Sequence, residues 1–119
     1  MIATLKHRED FLRLQRSERS FVTPGFILKC EEARSSPAPT ARAGFVVSKK
    51  CGNAVKRNRI KRRLREVVRN AFPRLAQPGH DYVVIGRPAC RELPYAELSR
   101  WMDKGLRHLH RQAGREHRA

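Results

Sequence analysis

AGFVVSKKCGNAVKRNRIKRRLREVVR, residues 43–69, decides the fold. It opens as an apolar strand, turns at a basic Gly-Asn step and continues as a helix dense in Arg and Lys. From Lys49 to Arg69 ten residues are basic and one, Glu66, is acidic. So many like charges repel one another in water, and a chain that keeps them meets a polyanion; at this density the polyanion is a nucleic acid.

Spacing separates the faces of that helix. Ile60, Leu64, Val67, Val68 and Ala71 fall at i, i+4, i+7, i+8 and i+11, one apolar stripe at 100° per residue. Lys61, Arg62, Arg65 and Arg69 lie on a second flank, Arg59 and Arg63 on a third. The stripe is expected to pack on a sheet and leave the cations in water. Arg forks match phosphate geometry, and a helix flank repeats them at fixed intervals. Gly52 suits a positive φ or a close backbone approach, and Asn53 suits an N-cap whose neighbouring amides face a phosphate. Asn58 is a poor interior helix former, which suggests an amide contact. The candidate nucleic-acid-binding set is Lys49, Lys50, Asn53, Lys56, Arg57, Asn58, Arg59, Lys61, Arg62 and Arg65. The bland alternative is a solvated charged face.

Working outward, residues 5–16 read as a helix with Thr4 as its cap, and Pro24-Gly25 as a break. Residues 26–30 and 42–48 read as strands, joined most simply as a hairpin through the polar, Pro-containing stretch 31–41. The second of these strands is apolar enough to be buried on both faces. Pro73 is expected to end the basic helix. A strand follows over 81–86, then a helix over 93–112 with Leu98, Trp101, Met102, Leu106 and Leu109 on one face. Residues 113–119 read as a polar tail expected to fray. The order helix, strand, strand, helix, strand, helix gives an α+β fold: a small sandwich of a mixed sheet packed with helices, containing a β-α-β crossover. Such crossovers are right-handed in ~98% of cases.

The 119 residues fit one domain, with 39% hydrophobic residues and a formal net charge of +16 that favours a nucleic-acid partner. A membrane surface or an acidic protein is the alternative partner for such charge. No apolar stretch approaches the ~20 residues that span a bilayer, and none resembles a secretory signal; a cytoplasmic protein without a membrane partner is expected. Cys30, Cys51 and Cys90 are too few and too far apart for a disulfide framework or a zinc site. Cys30 reads as a small hydrophobe. Cys51 stands beside Lys49 and Lys50, which would lower its thiol pKa, although a structural role is the simpler reading.

No protein active site is visible. Glu9-Asp10 and Glu31-Glu32 are the only adjacent acid pairs, and neighbours on a helix or strand diverge. His108 and His110 point about 200° apart on a helix, so they share no metal easily. Phe11 reads either as a core side chain or as a stacking platform for an unpaired base.

Ser48-Lys49-Lys50, Gly52-Asn53-Ala54-Val55 and Arg57-Asn58-Arg59-Ile60-Lys61-Arg62 resemble, in order, the signature of the bacterial ribonuclease P protein subunit family. Residues 5–14 with Asp10-Phe11, Asp81-Tyr82-Val83-Val84 and Arg87-Pro88 are similar to its opening helix, last core strand and strand exit, so the resemblance spans roughly residues 5–110. It implies the rare left-handed crossover. It implies an RNA subunit that carries the active site and holds the Mg2+ ions, and a ribonucleoprotein that removes the 5′ leader of precursor tRNA. It also implies a cleft between first helix and sheet that takes the leader, here with Phe11, Lys29 and Arg87. Gln15 and Lys29 stand where aromatics are commoner in the family, which shifts the expected contacts from stacking towards charge. Two other readings use the same helix: a ribosomal protein, and a DNA-binding helix-turn-helix, the latter opposed by the flanking apolar strands.

Overall fold

The computed structural model describes residues 3–5, 7–33 and 41–118, apart from the side chains of Ala3 and of residues 112–118. Its strands are β1 (Ala3–Thr4), β2 (Ser20–Val22), β3 (Phe26–Glu32), β4 (Arg42–Val46) and β5 (His80–Gly86). Its helices are α1 (Arg8–Gln15), α2 (Ala54–Leu75) and α3 (Tyr95–Arg118), with short 3-10 turns at Lys49–Cys51 and Pro88–Arg91. The strands form one mixed sheet in the order β1-β4-β5-β3-β2. β4 runs parallel to β5 and β3 antiparallel to it. The fold is α+β, as expected, and α2 is the crossover between the parallel neighbours β4 and β5.

The two faces of the sheet differ. On one, α2 and α3 close the main core over Phe26, Leu28, Tyr82 and Val84, with Ile60, Leu64, Val67 and Ala71 from α2 and Leu98, Met102, Leu106 and Leu109 from α3. On the other, α1 covers only part of the sheet, through a smaller cluster of Leu5, Leu14 and Val83 with Phe11, Val46 and Ile85 partly buried. α1 is anchored by Asp81, which is fully buried. Arg42 grips that carboxylate through Nε and Nη2, both at 2.7 Å, and Arg13 of α1 donates to it at 2.6 Å. Arg13 also donates to the Glu32 carbonyl at 2.9 Å, fixing the helix to β3. The hydrogen bond to Asp81 holds the Arg42 guanidinium above its ordinary pKa.

Several boundaries differ from the sequence reading. Thr4 does not cap α1: it pairs with Ala43 in the sheet, and His7 stands at the N-cap without a side-chain hydrogen bond. Glu9 and Asp10 in the first turn supply the negative charge that a helix start favours. The segment from β3 to β4 is not a hairpin, because β5 lies between the two strands; residues 34–40 of it lie outside the described residues. Pro24-Gly25 instead turns the β2–β3 hairpin, where the Thr23 hydroxyl accepts from the Phe26 amide at 2.9 Å. Pro73 falls inside α2, which ends at Leu75. The proline loses its amide bond and crowds the carbonyl four residues before it, and α2 runs only two residues further. α3 starts after Pro94 and runs beyond Gln112, through part of the stretch read as a tail, to Arg118. No helix among the described residues is long and apolar enough to cross a membrane.

Candidate nucleic-acid interface

The first surface is the start and outer flank of α2. Gly52 takes φ 116°, and a Cβ there would meet Lys56 Cδ at 2.7 Å. The Asn53 side chain caps the helix, accepting from the Lys56 amide at 3.0 Å. Lys49 and Lys50 are exposed on the turn just before it. Arg57, Lys61 and Arg65 then follow at i, i+4 and i+8 along the flank beside β4, where the Arg65 guanidinium lies 6.0 Å from the Phe45 ring centre. Lys56, Asn58 and Arg62 are exposed and point outward. Arg59 is exposed but sits about 200° round the helix from Arg57, on the side turned to the Pro88–Arg91 turn, so it does not join that flank. Arg57 is half-buried, and its Nε is buried without a hydrogen-bond partner.

Arg63, on the flank it shares with Arg59, is consumed by the fold. Its guanidinium donates to the carbonyls of Cys90 at 2.6 Å, Arg91 at 2.9 Å and Leu93. Cys51 is buried, with its thiol towards the Gly86 carbonyl at 3.5 Å, which favours the structural reading of that cysteine. Cys90 is buried beside it in the core, and burial pushes its thiol up to about 11.

The second surface is the face that α1 leaves open. Strand register arranges it in rows. Arg42, Asp81 and Glu31 form a charged row across β4, β5 and β3. Gly44, Val83 and Lys29 form the next, beneath α1. The Phe11 ring lies on Gly44: a Cβ there would be 2.5 Å from Phe11 Cε1. Lys29, two strands and about 10 Å away, donates from Nζ to the Gln15 carbonyl at 2.7 Å, at the last residue of α1. The third row is apolar: Val46, Ile85, Ile27 and Val22 across four strands. Three of these are half-buried and Val22 is 59% exposed. Arg87, at the exit of β5, is exposed, and its Nη1 donates to the Thr23 carbonyl at 2.9 Å.

Phe11 and Lys29 thus border one open strip, while Arg87 stands at its far end, about 13 Å along β5 from Val83. Phe11 is half-buried, between the two readings of it: one side of the ring packs on the sheet and the rest is open. The apolar row was missed in the sequence. Its signal was period-two alternation, with Ile27 between buried Phe26 and Leu28, and Ile85 between buried Val84 and Gly86. Residues 81–86 read as one continuous apolar strand, which hid a face with little cover. Among the described residues no group of three or more His, Cys, Asp and Glu is placed to hold a metal.

The Ribonuclease P family profile matches residues 2–110. The chain is 50% identical over 96 residues to the ribonuclease P protein component of Paramagnetospirillum magneticum, covering 79% of this chain and 72% of that one. It is 41% identical over 110 residues to that of Ruegeria pomeroyi, covering 92% and 87%. Its fold is similar to the RNase P protein from Thermotoga maritima, with TM-score 0.71 and 26% identity over 87% of this chain and 94% of that one. It is likewise similar to Staphylococcus aureus RNase P protein, with TM-score 0.69 and 27% identity over 87% and 92%.

Proposed function

The chain belongs to the ribonuclease P protein family, and on that premise we propose that it is the non-catalytic protein subunit of ribonuclease P, acting in the cytoplasm. In this reading α2 binds the RNA subunit, the α1 face of the sheet holds the 5′ leader of precursor tRNA, and the RNA cleaves the leader off. One observation carries the α2 assignment. The helix has spent its apolar stripe on the core and Arg63 is taken up by three carbonyls, while Lys56, Arg62 and Arg65 stay exposed with Arg57 and Lys61 half-buried beside them.

The leader assignment rests on the apolar row with cations at its margins. Bases of a single strand lie on Val46, Ile85 and Ile27 and against Phe11, while Lys29 and Arg87 meet phosphates. Both cations now donate to neutral carbonyls, so a phosphate gains their charge without breaking an ion pair. The chain's acids support placing the Mg2+ ions on RNA oxygens. The most enclosed carboxylate, Asp81, is already held by Arg42 and Arg13, and hard cations need several oxygen ligands. Bound Mg2+ would supply the charge stabilisation for phosphodiester hydrolysis; the chain's own residues neutralise phosphate repulsion and keep the leader in line.

The test is reconstitution. Adding the protein to a bacterial ribonuclease P RNA and precursor tRNA at low Mg2+ is expected to restore 5′ cleavage, and nuclease-free protein alone is expected to cleave nothing. Absence of stimulation, or correct processing by the protein alone, overturns the reading. Phe11→Ala is expected to weaken binding of leader-bearing tRNA at least about five-fold more than leaderless tRNA, from ~1–3 kcal/mol per stacked base.

A further inference from the structure

A basic stripe on α3 is used by neither surface described above. Arg100, Lys104, Arg107 and Arg111 fall at i, i+4, i+7 and i+11, within about 60° of one another and opposite the buried Leu98, Met102, Leu106 and Leu109. The stripe is about 16 Å long between its first and last cations. None of the four cations is ion-paired to an acid among the described residues. The one acid between them, Asp103, is taken by Arg74 of α2 at 3.1 Å.

The stripe is shaped as well as charged. It borders a shallow groove of about 660 Å³ whose floor includes the small residues Ala96 and Ser99 and whose end is Tyr95, 40% exposed. Arg100 and Lys104 lie 5.7 and 5.5 Å from the Trp101 ring centre, which holds both near the helix surface. Cations at steps of about 4.5–6 Å beside a small-residue floor match the backbone of a nucleic-acid strand. A lipid surface fits poorly, because the apolar face of α3 is sealed in the core and has nothing to insert.

We infer that the α3 stripe is a third RNA-binding surface, reading phosphates without sequence preference and engaging an RNA segment distinct from the one on α2 and the one on the α1 face. The geometry requires separate segments. α3 lies on the sheet face opposite α1, over β2 and β3, whereas the Arg57–Lys61–Arg65 flank lies beside β4 at the other side of the sheet. The segment belongs either to the RNA subunit or to the body of precursor tRNA; both present the same phosphate chemistry. The inference rests on the RNA-binding function proposed above.

The experiment compares wild type with a variant carrying Arg100→Gln, Lys104→Gln, Arg107→Gln and Arg111→Gln. A second variant carries only Arg107→Gln and Arg111→Gln, which touch no aromatic ring and guard against a folding defect. Binding is measured against salt for the RNA subunit alone and for precursor tRNA added to the preformed complex. The four-fold variant is expected to flatten the log K against log salt slope by about 3 and the two-fold variant by about 1.5, at ~0.7–0.9 per phosphate contact, in one arm. The arm that responds identifies the source. Combining either variant with Arg62→Gln of α2 should give additive losses. A wild type that binds with its full slope while both variants keep it overturns the α3 inference alone. So does a variant that loses only binding to anionic vesicles. A wild type that binds neither RNA overturns the proposed function and this inference together.

Discussion

Gly44→Ala is the sharpest test of how α1 sits on the sheet. The added methyl would stand 2.5 Å from Phe11 Cε1, 2.7 Å from Cζ and 3.2 Å from Leu5 Cδ1. To reach ordinary contact at 3.4 Å the ring must lift by about 1 Å. It cannot carry α1 with it freely, because Arg13 ties the helix to Asp81 and to the Glu32 carbonyl. Overpacking of this kind costs about 1–3 kcal/mol. Gly44 has no positive φ, so the backbone accepts alanine, and the lost freedom of the unfolded chain returns about 0.4–1 kcal/mol. The net destabilisation is at most about 2.6 kcal/mol, a fall in Tm of up to roughly 10 °C for a chain of this size. Thermal melts measure that fall, and binding of leader-bearing against leaderless tRNA measures the displaced ring. The decisive comparison is the Phe11→Ala background. There the ring clash is gone and only the 3.2 Å approach to Leu5 Cδ1 remains, so Gly44→Ala should lose most of its cost. An equal cost in both backgrounds would refute the placement of Phe11 over Gly44 and, with it, the described edge of the leader strip.

Other outcomes follow from the same geometry. Leu64→Ala, fully buried, should cost about 2–5 kcal/mol in denaturant melts, while Ala at the exposed Arg62 should change stability by less than about 0.5 kcal/mol and weaken RNA binding. Arg63→Ala should behave as a folding variant, lowering stability through its three carbonyl partners with little effect on the salt slope of RNA binding. Asp81→Ala leaves Arg13 and Arg42 without their shared carboxylate and should cost about 3–5 kcal/mol, read by chemical denaturation. His110, whose Nε2 is 2.9 Å from the Tyr82 hydroxyl, is held near 4 by burial and then by the charges of His80 and Arg19. Its folded pKa lies below the ordinary 6.5, so stability is complete above pH 6.5 and is lost as pH falls towards 4. The loss should be about 1–2 kcal/mol for a ring only half buried, and His110→Gln should flatten that arm of the stability profile.

What the sequence disclosed was set by whether the cause is local. The apolar stripe of α2, its Asn53 cap and the positive φ of Gly52 are written in residues a few positions apart, and the structure has all three. Strands β1 and β2, of two and three residues, are too short to carry a pattern and exist only through their partners. The β3–β4 hairpin was inferred from adjacency in the chain, which says nothing about a third strand arriving 34 residues after β4 ends, as β5 does at His80. Asp81 looked like the polar start of a strand; its role depends on Arg13 and Arg42, which are distant in sequence. Of the candidate interface, the cations were legible by type, but which were available was not. Arg63 and Arg62 are adjacent and chemically identical, and only the carbonyls around the Pro88–Arg91 turn separate them.

The insertion of β5 between β3 and β4 sets a timetable for biosynthesis. Emerging from the ribosome, the chain delivers β2 and β3, then β4, yet the last two have no ladder to form with each other. Both wait for residues 80–86, so the sheet has no centre until those residues are out. At about 5–20 residues per second the interval is seconds long, and during it a strongly cationic, unpaired nascent chain stands beside ribosomal RNA. Closure is therefore a late, concerted event with non-local contacts as its barrier. A premature stop before Gly86 should yield not a smaller folded protein but an unstructured polycation.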